Sequence, residues 1–133
     1  MTVTSWYASY GSAQGSAGAI AVSPVSPYNV YTLTGSFSTP YVAEYSASGS
    51  PITQWGGGGS GFGKFYNPQS IAVGPNGNVY VSDIWNHLVQ EFDSNGNFLS
   101  QWTVTVPEGI AVAANGDVYV VDQSDLTIKV FGP

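Results

Sequence analysis

The side chains able to do acid–base, nucleophilic or metal chemistry are few: His87 is the one histidine, the lysines are Lys64 and Lys129, there is no cysteine, and Asp and Glu number eight. A histidine- or thiolate-based zinc site needs more ligands than this, and disulfides and thiol nucleophiles are excluded. Asp83 and Asp122 end the runs VYVSD and VYVVD. An aspartate entering a loop commonly accepts from that loop's own amides. Glu108, in Pro107-Glu108-Gly109, holds the place that Gln69 holds earlier in the chain. These groups do not by their spacing compose a catalytic constellation, so the elements that position them carry the argument.

Those elements repeat. IAVGPNGNVYVSD, from Ile71, maps onto IAVAANGDVYVVD, from Ile110, at an offset of 39, and a looser copy runs from Ile20 to Trp55 with extra residues around Gly35 to Thr39. Each unit divides into short strands at Asn-Gly and Ser-Gly turns, where a residue of positive φ is needed. Ile71 to Val73, Val79 to Val81, Leu88 to Phe92 and Phe98 to Trp102 are the four of the second unit. Four antiparallel strands in about 40 residues are the signature of a propeller blade. No segment carries a sustained helical period with caps, so almost no helix is expected.

The expected organisation is a single all-β unit spanning residues 1–133: a strand at 2–6, a blade at 20–55, a blade at 71–102 and a partial blade at 110–131. TVTSW at 2–6 resembles PITQW at 51–55 and FLSQW at 98–102, each ending in tryptophan at Trp6, Trp55 and Trp102. Three blades leave no room for a central channel, and propellers have about 4 to 8. The expectation is therefore a six-bladed ring built as a homodimer, in which the N-terminal strand of each copy closes the last blade of the other. Val3, Trp6, Thr127, Ile128, Val130 and Phe131 are the residues assigned to assembly.

The second unit resembles the NHL-repeat β-propeller family: Asp83, then Asn86-His87-Leu88, then VQEF and SNGNFL follow that family's pattern. The third unit keeps Asp122 but has Asp125-Leu126-Thr127 at the family's three naming letters, and the first keeps neither. The resemblance implies six blades, in agreement with twice three. It also implies that His87 braces one blade against the next, and it separates this chain from the histidine-rich amidating lyases of the family. By likeness to lactonase-like propellers, Glu108, Gln69 and Asn67 near the channel mouth would be the oxygen ligands of a calcium ion, although no cofactor or metal is assigned.

Binding candidates lie on the loop face. Trp85 and Asn86 occupy the turn after the second strand, where the third unit has Ser124 in place of Trp85. The connection GGGGSGFGKFYNP carries Phe62, Phe65, Tyr66 and Asn67. Its glycines do not form a phosphate loop, because no GK[ST] follows. With Gln69 and Glu108 these residues form the expected rim for a protein, peptide or glycan ligand. Other loops opening on this face are Tyr7 to Gly18 and Thr103 to Pro107.

Charged residues are 8% of the chain and the net charge is −6, against about 25% charged in ordinary soluble domains. Two lysines give phosphates little to bind, so neither nucleic acid nor an acidic membrane surface is an expected partner. The low charge and abundant Ser, Thr and Tyr lean toward an extracellular or cell-surface location. The leading function is a non-catalytic module that assembles with itself into a closed ring and presents loops for protein, peptide or small-ligand binding, the chain being a half-propeller of natural (fragment) or engineered origin. The alternative is a metal-dependent lyase or hydrolase at the channel mouth, with Glu108 as ligand or base.

Overall fold

A computed structural model describes residues 1–6 and 18–133. Eleven strands run in chain order among these residues: β1 (Ala19–Val22), β2 (Val30–Ser36), β3 (Thr39–Tyr45), β4 (Pro51–Gly56), β5 (Pro68–Val73), β6 (Val79–Asp83), β7 (Leu88–Phe92), β8 (Phe98–Thr103), β9 (Pro107–Val112), β10 (Val118–Asp122) and β11 (Thr127–Phe131). They form three antiparallel sheets, β1-β2-β3-β4, β5-β6-β7-β8 and β9-β10-β11. These are the three expected blades. The drift of the first unit comes from its central hairpin: β2 and β3 have 7 residues each, where β6 and β7 have 5.

Two boundaries differ from the sequence reading. The inner strands begin earlier than Ile71 and Ile110, because Pro68 pairs with Asp83 and Pro107 with Asp122 across irregularities in register. Gln69 and Glu108 therefore lie within β5 and β9 instead of ahead of them. Residues 2–6, expected as a strand, are exposed and form no strand within the single chain. The sequence assigned their pairing edge to a second copy.

Blades pack face to face through two apolar layers. Tyr31, Leu33 and Val42 of the first blade meet Ile71, Val73, Val79, Val81 and Phe92 of the second. Tyr80 and Val89 of the second meet Val118 and Val120 of the third. Alternation along each strand places one set of side chains on each face, so the middle blade is covered on both. Each tryptophan that ends an outer strand leans across onto the next blade: Trp55 lies 5.7 Å from Phe92, and Trp102 lies 5.2 Å from Phe131.

Glycine is required where that indole lands. Gly96 has φ +89°, and a Cβ there would stand 2.5 Å from the Trp55 ring. Gly96→Ala is expected to lower stability by about 1–3 kcal/mol, from the left-handed backbone and the overpacking together. Urea denaturation would show this as a lower midpoint with an unchanged slope.

Candidate functional site

Buried carboxylates organise the loop face. The Asp83 carboxylate accepts from the amides of Tyr66 (2.7 Å), Asn67 (2.9 Å) and Asn86 (3.2 Å) and from Asn86 Nδ2 (3.0 Å). It thereby ties the inter-blade connection to the β6–β7 turn. Asn86 Nδ2 also donates to the Gly59 carbonyl at 3.0 Å. Asp122 repeats the design, accepting from the amides of Val106 (3.2 Å) and Ser124 (3.0 Å) and from the Ser124 hydroxyl (2.6 Å). That hydroxyl bond is the main reason the Asp122 carboxyl falls to about 2, with the two amides and Lys129 adding to it against desolvation.

This depression has a sign for stability. A group whose folded value lies below its unfolded value of 3.8 stabilises the fold above about pH 4, and the contribution disappears as pH falls through about 2. Denaturant midpoints are expected to decline from pH 4 to pH 2, less steeply in Ser124→Ala.

Two further side chains brace the loops. His87 sits at φ 56° with its Nδ1 2.6 Å from the Thr105 carbonyl, which can only accept, so Nδ1 carries the proton. This ties the β6–β7 turn to the connection leading into the third blade. Buried Gln90 accepts from Gly63 N (2.7 Å) and donates to the Lys64 carbonyl (2.8 Å), pinning the glycine-rich connection to β7. Gln90 was not singled out in the sequence. Nor were Glu44 and Glu91, which accept from Tyr31 (3.0 Å) and Tyr80 (2.9 Å) and from Asn29 and Asn78. The signal was present as Asn-Val-Tyr, at 29–31 and again at 78–80, each followed by a glutamate on the next strand. Burial and then Glu91 push the Tyr80 hydroxyl up to about 12.

An open cleft of about 380 Å3 lies where the first and second blades meet, lined by Leu33, Ser36, Phe37, Tyr66, Asn67 and Gln69 among others. Gln69 Nε2 donates to Asn67 Oδ1 at 2.9 Å. Trp85 stands beside it, its ring 5.1 Å from Phe37 and 5.0 Å from Tyr66, both edge-on. All three rings are exposed. Phe37, which the sequence reading missed, lies in the lengthened β2–β3 hairpin of the first blade, outside the repeat. Trp85, Tyr66, Asn67 and Gln69 are thus brought together, and Asp83 ties Asn86 to Tyr66 and Asn67.

The remaining candidates fall elsewhere. Phe65 is fully buried against Phe92 and belongs to the core, so it does not line a rim. Phe62 is exposed but stacks on Phe98 at 4.7 Å. Glu108 is not among the cleft's lining residues; its carbonyl accepts from buried Ser82 at 2.7 Å. Among the described residues, no three His, Cys, Asp or Glu side chains gather where a metal ion could be held. Of the assembly candidates, Thr127, Ile128, Val130 and Val3 are exposed, whereas Phe131 is half-buried against Trp102. Lys129 pairs with Asp125 at 2.7 Å and Asp122 at 3.5 Å, and Lys64 donates to the Gly56 carbonyl. Most of the Tyr7 to Gly18 loop lies outside the described residues.

The pattern of the NHL repeat matches residues 65–92, the stretch holding Asp83 and Asn86-His87-Leu88. Protein lin-41 of Caenorhabditis elegans is 45% identical over 58 residues, which cover 44% of this chain and 5% of that protein. Residues 65–92 of this chain thus carry an NHL repeat. The chain spans a small fraction of that relative's length. Among solved structures, a functionally unknown protein from Desulfotomaculum acetoxidans aligns with this chain at TM-score 0.62 and 18% identity, covering 88% of this chain and 42% of the other. A protein of unknown function from Bacteroides caccae gives 0.59 and 16%, with 92% and 48% covered. Virginiamycin B lyase from Staphylococcus aureus gives 0.57 and 13%, with 86% and 40% covered. At these identities the likeness shows the fold alone, and the chain spans less than half of each.

Proposed function

We propose that this NHL-repeat chain is a non-catalytic binding module that closes into a six-bladed ring with a second copy and presents the Phe37–Trp85–Tyr66 cleft on its loop face. One observation carries the ring: the outermost faces repeat the buried ones. Tyr119 and Ile128 of the third blade are 40% and 66% exposed, while their equivalents in the second, Tyr80 and Val89, are 7% and 0% exposed. At the opposite end Ile20 is 66% exposed and its equivalent Ile71 is 5% exposed. Each open face therefore has the residues that a neighbouring blade covers elsewhere in the chain. Apolar faces of this kind drive association. Light scattering is expected to give about twice the 13.9 kDa of one chain; a monomer at micromolar concentration sinks the ring.

The cleft supports the binding half of this reading. Its lining carries no formally charged side chain, and three aromatic rings from outside the repeat converge beside it, where the fold does not need them exposed. A cleft of about 300–1,000 Å3 with a few polar groups is the usual size for a ligand site. Neutral ligands suit it better than charged ones. The calcium reading of Asn67, Gln69 and Glu108 finds less support, since Asn67 and Gln69 already bond each other. Treatment with EDTA is expected to leave the melting temperature unchanged, and a fall of several degrees would restore that reading.

A further inference from the structure

The open edge of β11 has two templates within the chain. In the second blade β8 pairs with β7 so that Trp102 faces Val89, Gln101 faces Gln90 and Ser100 faces Glu91. In the first, Trp55 faces Val42, Gln54 faces Ala43 and Thr53 faces Glu44. Both tryptophans lean onto the blade that follows their own. Trp6 does the same: its ring lies 5.2 Å from Tyr45, the repeat equivalent of Phe92, and it covers Gly49 as Trp55 covers Gly96. Trp6 thus holds the place of an outer-strand tryptophan belonging to a blade that stands before the first.

Resting on the ring reading, we infer that this preceding blade is the third blade of a second copy, and that Thr2–Trp6 adds to the partner's β11 with Trp6 opposite Ile128, Ser5 opposite Lys129 and Thr4 opposite Val130. The register transfers from the second blade, since Val89, Gln90 and Glu91 become Ile128, Lys129 and Val130 at the repeat offset. The main-chain edge gives the affinity, as in other strand additions. The groove of about 510 Å3 lined by Trp102, Phe131 and Pro133 receives the start of the added strand, the place that Phe98 takes beside Phe92. Val3 stays outward, as its equivalents Ile52 and Leu99 are exposed. A second copy is the occupant because the interface continues the blade-to-blade packing already present twice within the chain.

The absence of native cysteine makes the register readable. Directly opposed residues have Cβ atoms about 4.5–5.5 Å apart, close to what a disulfide spans. Mild oxidation of Thr4→Cys with Val130→Cys, and separately of Ser5→Cys with Lys129→Cys, is expected to give a reducible species of twice the chain mass. The mismatched pair Thr2→Cys with Ile128→Cys is expected to give at most one-tenth as much. Circular dichroism checks that each variant folds, and having two matched pairs means that one misfolded variant does not end the test. If the reduced protein has twice the chain mass but neither matched pair cross-links above the mismatched one, the register is wrong and the ring stands. If the reduced protein is monomeric, both fall.

Discussion

Asp83→Ala is expected to lower stability by about 3–5 kcal/mol, the largest effect of any single polar substitution here. The carboxylate is fully buried and receives four hydrogen bonds, three of them from backbone amides in two different loops. Removing it strands these donors in a space that methyl cannot satisfy, and each buried unsatisfied group costs about 1–3 kcal/mol. Bonds to an ionised acceptor lie toward the upper end of the range. Much of a typical domain's stability of about 5–15 kcal/mol is then lost. Denaturant unfolding checks the size. The same variant is expected to raise amide exchange at Tyr66, Asn67 and Asn86 more than in β10, because Asp122 holds the third blade's turn independently. Uniform exchange across the chain would mean that Asp83 acts on global stability alone.

The second large effect concerns association. Ile128→Asp is expected to leave the single chain nearly as stable as before, since the side chain is mostly exposed within it and such substitutions usually change stability by less than about 0.5 kcal/mol. In the closed ring the same position would be buried as Val89 is, and an unpaired carboxylate there costs several kcal/mol. A loss of about 3 kcal/mol would weaken the proposed dimer by roughly two orders of magnitude. Sedimentation across a concentration series reads this directly. An unchanged dimer with normal strand content would place the interface elsewhere, whereas loss of β signal would show that Ile128 matters to the chain itself.

The blades were legible because their causes are local. Asn-Gly turns at 76–77 and 115–116, alternating runs such as VYVSD, and tryptophans at equivalent strand ends each demand the same hairpins wherever they occur. The recurrence of Asp83 at Asp122 pointed to loop bracing, and both carboxylates accept loop amides. Phe65 was misread for a physical reason. It stands between polar and glycine residues in a stretch that looks like surface loop, yet the connection folds back so that its ring fills the gap beside Phe92 and Gly56. Phe37 was missed because it lies in the residues that break the repeat, and nothing in the local pattern tells that a lengthened hairpin reaches Trp85 across a blade boundary.

By itself, then, the sequence determined the class of structure, the number of blades and the strands within each, since alternation, turn chemistry and periodicity are short-range and repeat. It also set the sign and scarcity of charge, with both lysines available on paper. Only the tertiary structure decided which aromatic rings are core and which face solvent, and that Asn67 and Gln69 spend their polar atoms on each other while Glu108 stands apart. These outcomes depend on how far a loop travels across the neighbouring blade, a distance that strand periodicity does not encode. The exposed residues on the two outermost faces belong to both levels: repetition names their buried equivalents, and the fold alone shows that nothing within the described residues covers them.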